Sequence, residues 1–142
     1  MLEKRDSDGF GYRLHEGSEM LLHHHFGGHT GLPVAIQTWV IPPGGFEGLH
    51  RHDQGEQLVE FYQVLEGTGR MRVGTKTYEL ASGDSVLAGP AELHGLTNTG
   101  PAELRVLVVW GPPGSVDLTP YGSHRRAEQL RGAAQSSPSS TD

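Results

Sequence analysis

The chain has 142 residues, a net charge of −6 and a pI near 5.8, and it contains no cysteine. An acidic balance with no basic stripe argues against nucleic acid as a partner, and the missing thiol excludes disulfides, a cysteine nucleophile and thiolate-held zinc or iron–sulfur clusters. No run of roughly 18 apolar residues is present to cross a membrane, and the charged opening MLEKRDSDGF lacks the apolar segment of a signal peptide, so a cytoplasmic protein is expected.

One domain suits this length. With 21 Gly and 9 Pro, the composition favours many short strands and tight turns over a helical bundle. Residues 1–19 are polar and without periodicity and read as a loose arm, with a short strand at Tyr12 to Leu14. Met20 to Phe26 follows as a strand that would put His23 and His25 on one face and His24 on the other. Val34 to Ile41 is rich in β-branched and aromatic residues, a strand signal; whether Gln37 and Trp39 or Ile36 and Thr38 face inward stays open. Phe46 to His52 and Leu58 to Leu65 are the next strands. Arg70 to Val73 and Lys76 to Leu80 form a hairpin across Gly74-Thr75. Ser85 to Ala88 and Leu93 to Thr97 come next, and Glu103 to Trp110 reads as a strand buried on both faces. Tyr121 to Arg131 is at most a short helix, and Gly132 to Asp142 reads as a disordered tail. Closely spaced strands with turn signals between them predict an all-β antiparallel sandwich or barrel.

The chemistry concentrates between Gly44 and Gly67. His50 and His52 are two apart and can aim both imidazoles at one point of a strand face. A hairpin through Asp53-Gln54-Gly55-Glu56 is expected to bring Glu60 back beside them, and two imidazoles with a carboxylate suit a divalent transition metal. His94 lies in a later strand, after Gly89-Pro90, and can face the same interior.

These residues carry a resemblance. The first motif of the cupin superfamily reads G, five residues, HxH, three or four residues, E, six residues, G; here Gly44, His50, His52, Glu60 and Gly67 fill it, with seven residues between His52 and Glu60. Glu56 has the usual gap from His52 but fails the step to Gly67, so it is the reserve carboxylate. Gly83, His94 and Asn98 match the second motif, with Gly89 and Ala91 where Pro and Gly are usual. The chain therefore resembles a small single-domain cupin over about residues 34–111.

The resemblance implies a double-stranded β-helix, or jelly-roll barrel, over 31–115, an N-terminal arm at 1–30 and a C-terminal extension at 116–142. It implies His50, His52, Glu60 and His94 as ligands of one divalent metal, Fe(II) or Mn(II) ahead of Ni(II), Co(II) or Zn(II), with coordination positions left for a small-molecule substrate. Glu60 and Tyr62, which share a strand face, are the candidate catalytic groups. The implied reaction is O2-dependent oxidation, or Lewis-acid isomerisation, cyclisation or lyase chemistry, on a small oxygenated metabolite. The alternative is a cupin that binds or senses a ligand without turnover. A homodimer is expected, the arm being exchanged and Leu21 and Leu22 lying at the interface. His23, His24, His25 and His29 read as an exposed or interface cluster before an acid/base group at the pocket mouth. Arg70 and Arg72 read as a solvated face, and Glu103 with Arg105 as an ordinary pair.

Overall fold

A computed structural model describes residues 1–55 and 57–136 of the chain. Its strands are β1 (Phe10–Arg13), β2 (Glu19–His24), β3 (Ala35–Ile41), β4 (Val59–Glu66), β5 (Thr68–Val73), β6 (Lys76–Ala81), β7 (Ser85–Ala88), β8 (His94–Asn98) and β9 (Leu104–Gly111). A helix, α1 (Gly122–Ser136), follows. A six-stranded sheet has the order β1-β2-β3-β9-β4-β7 and a three-stranded sheet the order β6-β5-β8, with antiparallel pairing in both. The core joins them: Trp39, Tyr62, Val64, Val106 and Val108 of the large sheet pack with Met71, Leu80 and Leu96 of the small one. The fold is an all-β jelly-roll sandwich.

Period-two alternation positions these side chains. In β5, Gly69, Met71 and Val73 are buried while Arg70 and Arg72 face water. In β4, Glu60, Tyr62 and Val64 point inward. Gln37 and Trp39 of β3 also face the interior, so Trp39 is a core residue and not a surface contact. In β9, Leu104, Val106 and Val108 are buried, but Arg105, Leu107 and Val109 are half-exposed. The strand is therefore not buried on both faces, its outward side chains being only half covered among the described residues. Gly67 makes the turn after β4 at φ +89°, where a Cβ would also come within 2.6 Å of the Glu103 carbonyl oxygen.

Several expectations change. The 46–52 segment is extended but not a regular strand. It touches β8 only through bridges at Phe46–Thr97 and His50–His94, because Gly48 must lie against the His15 carbonyl and interrupts the ladder. Among the described residues no bridge pairs this segment with β4: it lies beside β8 of the small sheet, and β4 belongs to the large one. The first strand is Phe10–Arg13, and β2 stops at His24 because Phe26 turns into the left-handed region at φ 49°.

The arm is not loose. The Glu3 carboxylate accepts the Phe26 amide at 2.7 Å and meets His25 Nδ1 at 2.9 Å, while Arg5 bonds Glu66 and Arg105 bonds Asp6, each at 2.9 Å. Arg105 is thus paired with Asp6 and Glu66 rather than with Glu103. Leu22 is buried in the core, which leaves only Leu21 facing outward. Helix α1 continues to Ser136, past Arg131 and into the segment read as disordered; 137–142 lie outside the described residues. No helix among the described residues is long and apolar enough to cross a membrane.

Candidate metal centre

Three separate parts of the fold meet at one point. Glu60 comes from β4 of the large sheet, His94 from β8 of the small sheet, and His50 and His52 from the extended segment beside β8. One donor atom from each lies within 4.8 Å of all the others. His50 Nε2 and His52 Nε2 are 3.1 Å apart, and His94 Nε2 is 2.8 Å from Glu60 Oε2. The other carboxylate oxygen, Oε1, is 3.4 Å from His52 Nε2, and Oε2 is 3.8 Å from His50 Nε2. Metal bonds of about 2.0–2.2 Å place neighbouring donors about 3 Å apart and opposite ones about 4.2 Å apart, and the separations at this cluster fall in or near that range.

The tautomers agree with that use. His50 Nδ1 lies 2.9 Å from the Gly48 carbonyl and His94 Nδ1 lies 2.7 Å from the Glu92 carbonyl. A carbonyl accepts, so each Nδ1 carries a hydrogen; in neutral His50 this leaves Nε2 as a bare lone pair aimed inward, whereas His94 Nε2 donates to the Glu60 carboxylate and would bind an ion only by giving up that proton. Burial, opposed by the Gly48 hydrogen bond, lowers the His50 pKa to about 4, so this ligand is neutral near pH 7. Burial alone would raise Glu60, but hydrogen bonds from His94 and Tyr62 and the His94 and His52 charges outweigh it and hold the carboxylate at about 2. Burial also works against charge on His94, yet its bonds to Glu60 and the Glu92 carbonyl raise it. Three imidazoles and one ionised carboxylate fit a divalent transition metal.

Tyr62 does not line an open pocket. Only 1% of it is exposed, and its hydroxyl donates a short hydrogen bond to Glu60 Oε2. Its ring stands edge-on to Trp39, with centroids 5.6 Å apart, and Trp39 Nε1 donates to Gln37 Oε1 at 2.9 Å. Burial, then the charges of Glu47 and Glu60, push the phenol well above its usual value, so it stays a donor. Tyr62 therefore orients the carboxylate from behind, as outer groups do at metal sites.

The remaining sequence candidates are distributed elsewhere. Asn98 is buried and structural: it donates to the Ile41 and Ala102 carbonyls at 2.8 and 2.9 Å and accepts from the Gly100 amide. His23 and His25 lie under the arm, and His24 meets the Gln37 amide at 3.3 Å. Arg70 pairs with Glu79 on the outer face of the small sheet. Glu56 lies outside the described residues.

Two residues at the centre were missing from the sequence reading. His15 stacks flat on His50, with centroids 3.3 Å apart and planes at 9°. Glu47 is buried beneath the cluster, 3.8 Å from His50 Nε2, and burial followed by the Glu60 charge pushes its pKa well above the usual carboxylate range. His15 precedes the motifs and carries no sequence signal. Strict alternation would point Glu47 away from His50, and the interruption at Gly48 removes that alternation.

Fold and site together define a small jelly-roll protein with a three-histidine, one-carboxylate cluster capable of holding a metal. The chain belongs to the Cupin_2 family, described as "Cupin domain", whose family model matches residues 37–110. It is 30% identical over 91 residues to an uncharacterized protein of Methanocaldococcus jannaschii, covering 64% of this chain and 70% of that one. A solved structure from Thermotoga maritima, described as a predicted oxalate decarboxylase, is similar at a TM-score of 0.69 and 24% identity, over 79% of this chain and all (100%) of that one. The Cupin_2 domain of an XRE family transcriptional regulator from Enterobacter cloacae is similar at a TM-score of 0.58 and 15% identity, over 67% of this chain and 98% of that one. At those identities the two structures establish the shared fold.

Proposed function

We propose that this chain is a metal-dependent cupin enzyme of the cytoplasm, acting on a small oxygenated organic metabolite. The observation that carries the reading is the convergence of three imidazoles, two of them with Nδ1 held on backbone carbonyls, and a carboxylate kept ionised by its neighbours. A divalent metal bound there supplies Lewis-acid polarisation of a substrate oxygen or, as Fe(II), a route to O2 chemistry. The chain's own residues do the rest. Tyr62 fixes Glu60 from the core side. His52 and His15, with side chains 16% and 34% exposed, mark the side from which a small ligand arrives. The description of the Thermotoga maritima relative as a predicted oxalate decarboxylase is consistent with lyase chemistry on a small oxygenated acid.

A second reading is a ligand-sensing barrel without turnover. What favours it is the likeness to a cupin domain that serves a transcriptional regulator. Both readings share the metal, so metal content is measured first, by mass spectrometry on untagged protein purified without nickel or chelator. The wild type is expected to hold at least one Fe, Mn, Ni, Co or Zn per chain, and a His52→Ala/His94→Ala variant to lose it. A wild type that holds no metal and takes none up on reconstitution would sink the enzyme reading. With metal present, turnover of small carboxylates and enols separates enzyme from sensor.

A further inference from the structure

The turn from Leu14 to Gly17 is unusual in its backbone. His15 and Glu16 both adopt left-handed conformations, at φ 51° and 61°, which ordinary side chains disfavour. The surroundings hold them there. Gly17 N bonds Leu14 O at 2.8 Å, Ser18 N bonds Phe46 O at 2.9 Å, and Gly48 N bonds Leu14 O at 3.2 Å. A Cβ on Gly48 would run into the His15 carbonyl, and one on Gly17 into the Phe46 carbonyl. Glycines at both contacts let this turn press onto the 46–48 segment. Strained backbone of this kind persists where the structure around it is fixed, and here it sets one ring beside the candidate metal centre.

That ring, His15, lies flat on His50, with centroids 3.3 Å apart and planes at 9°. Both Nε2 atoms face the same way, standing 4.0 and 3.8 Å from one oxygen, Glu47 Oε1. Their directions are therefore parallel. An ion on His50 Nε2 lies to one side of the line along which His15 Nε2 points, so His15 is not a further ligand of that ion. It faces the space next to it. Neither ring nitrogen of His15 has a hydrogen-bond partner among the described residues, and Nε2 is free to carry the hydrogen. The His15 side chain is 34% exposed and that of His50 beneath it 9%, which leaves this nitrogen on the side open to solvent.

We propose that His15 is a ligand-binding residue: its Nε2–H donates to one oxygen of a small carboxylate whose other oxygen joins the four-residue cluster. The inference rests on the metal centre of the proposed function, and it adds a contact that none of the four clustered residues supplies. A carboxylate suits the arrangement because it is planar and carries two oxygens side by side, as the two stacked imidazoles present two parallel groups. A hydrogen bond from His15 to a charged oxygen is of the stronger kind. The left-handed turn is what presents the donor.

The test uses untagged protein loaded with Co(II) and acetate as the probe, with acetate binding read from the change in the visible absorption of the cobalt. His15→Phe keeps a flat ring for His50 and removes both nitrogens, whereas His15→Gln restores an N–H donor without the ring. Co(II) uptake, read by mass spectrometry, is expected to be equal in the three proteins, and circular dichroism confirms folding. Acetate affinity is expected to fall about tenfold in His15→Phe, the loss of one hydrogen bond to a charged group, and to recover at least in part in His15→Gln. Equal acetate affinity in wild type and His15→Phe overturns the inference, as does a His15→Gln protein no better than His15→Phe. A wild-type spectrum that acetate leaves unchanged overturns it as well. Loss of Co(II) from His15→Phe would make His15 a support of the ion and not of its ligand, with the same result. Failure of the metal centre itself reads differently, as a wild type that takes up no Co(II).

Discussion

Glu60 is held by the hydroxyl of Tyr62 as well as by the histidines around it. That hydroxyl donates to Oε2, the oxygen that also meets His94. Changing Tyr62→Phe keeps the ring against Trp39 but leaves the carboxylate free to rotate off the cluster. Outer groups of this kind typically contribute 10–100-fold in metal affinity, so Tyr62→Phe should weaken binding by about that factor. Competition with a chelator of known affinity measures it; an unchanged affinity would show that Glu60 needs no such support. The four clustered residues are legible through the motif resemblance, whereas spacing alone pairs only His50 with His52, and the hairpin expected to return Glu60 to them does not form among the described residues. Tyr62 is legible only as a neighbour, since alternation says which face it shares with Glu60 but not whether its hydroxyl meets solvent or a carboxylate. His15 is invisible at this level, being brought in by a turn with its own unusual backbone.

Among the elements, the strands of the two sheets stand close to where alternation and Gly/Pro punctuation put them, because inward burial and turn geometry are local demands. The 46–52 segment and the arm depart from that reading for non-local reasons. Gly48 must lie beneath the His15 carbonyl, and the arm is fastened by charges distant in sequence, Glu66 and Arg105. The arm offers a pH test. The Glu3 pKa is lowered first by the Phe26 amide hydrogen bond and then by His25. A carboxyl lowered in the folded state contributes above its free value of 4.5, and that contribution is lost as the pH falls through the lowered value. Hydrogen exchange at the Phe26 amide should therefore gain protection relative to Glu3→Gln above pH 4.5 and lose that difference in more acidic solution. Equal protection in the two proteins across the range would mean that Glu3 does not fasten the arm.

The whole molecule is where the metal and the fold meet. Sequence patterning makes an antiparallel all-β domain legible, but it does not say which sheet each strand joins, because that depends on where the chain passes from one sheet to the other. The assignment matters: Glu60 stands in the large sheet and His94 in the small one, so an ion at the cluster ties the two layers together. In an unfolded chain only His50 and His52 remain near each other, and two imidazoles bind far more weakly than the assembled set. A ligand that prefers the folded state at 100 times its Kd adds about 2.7 kcal/mol of stability. At roughly 2–4 °C per kcal/mol for a chain of this size, saturating metal should raise Tm by roughly 5–10 °C, and a chelator should reverse the rise. Glu60→Gln removes the ionised ligand of the large sheet and should lose most of the shift, even where His50, His52 and His94 still hold an ion. Calorimetry of both proteins with and without metal distinguishes the cases: an equal Tm rise in Glu60→Gln would mean that the ion stabilises one layer and does not join two.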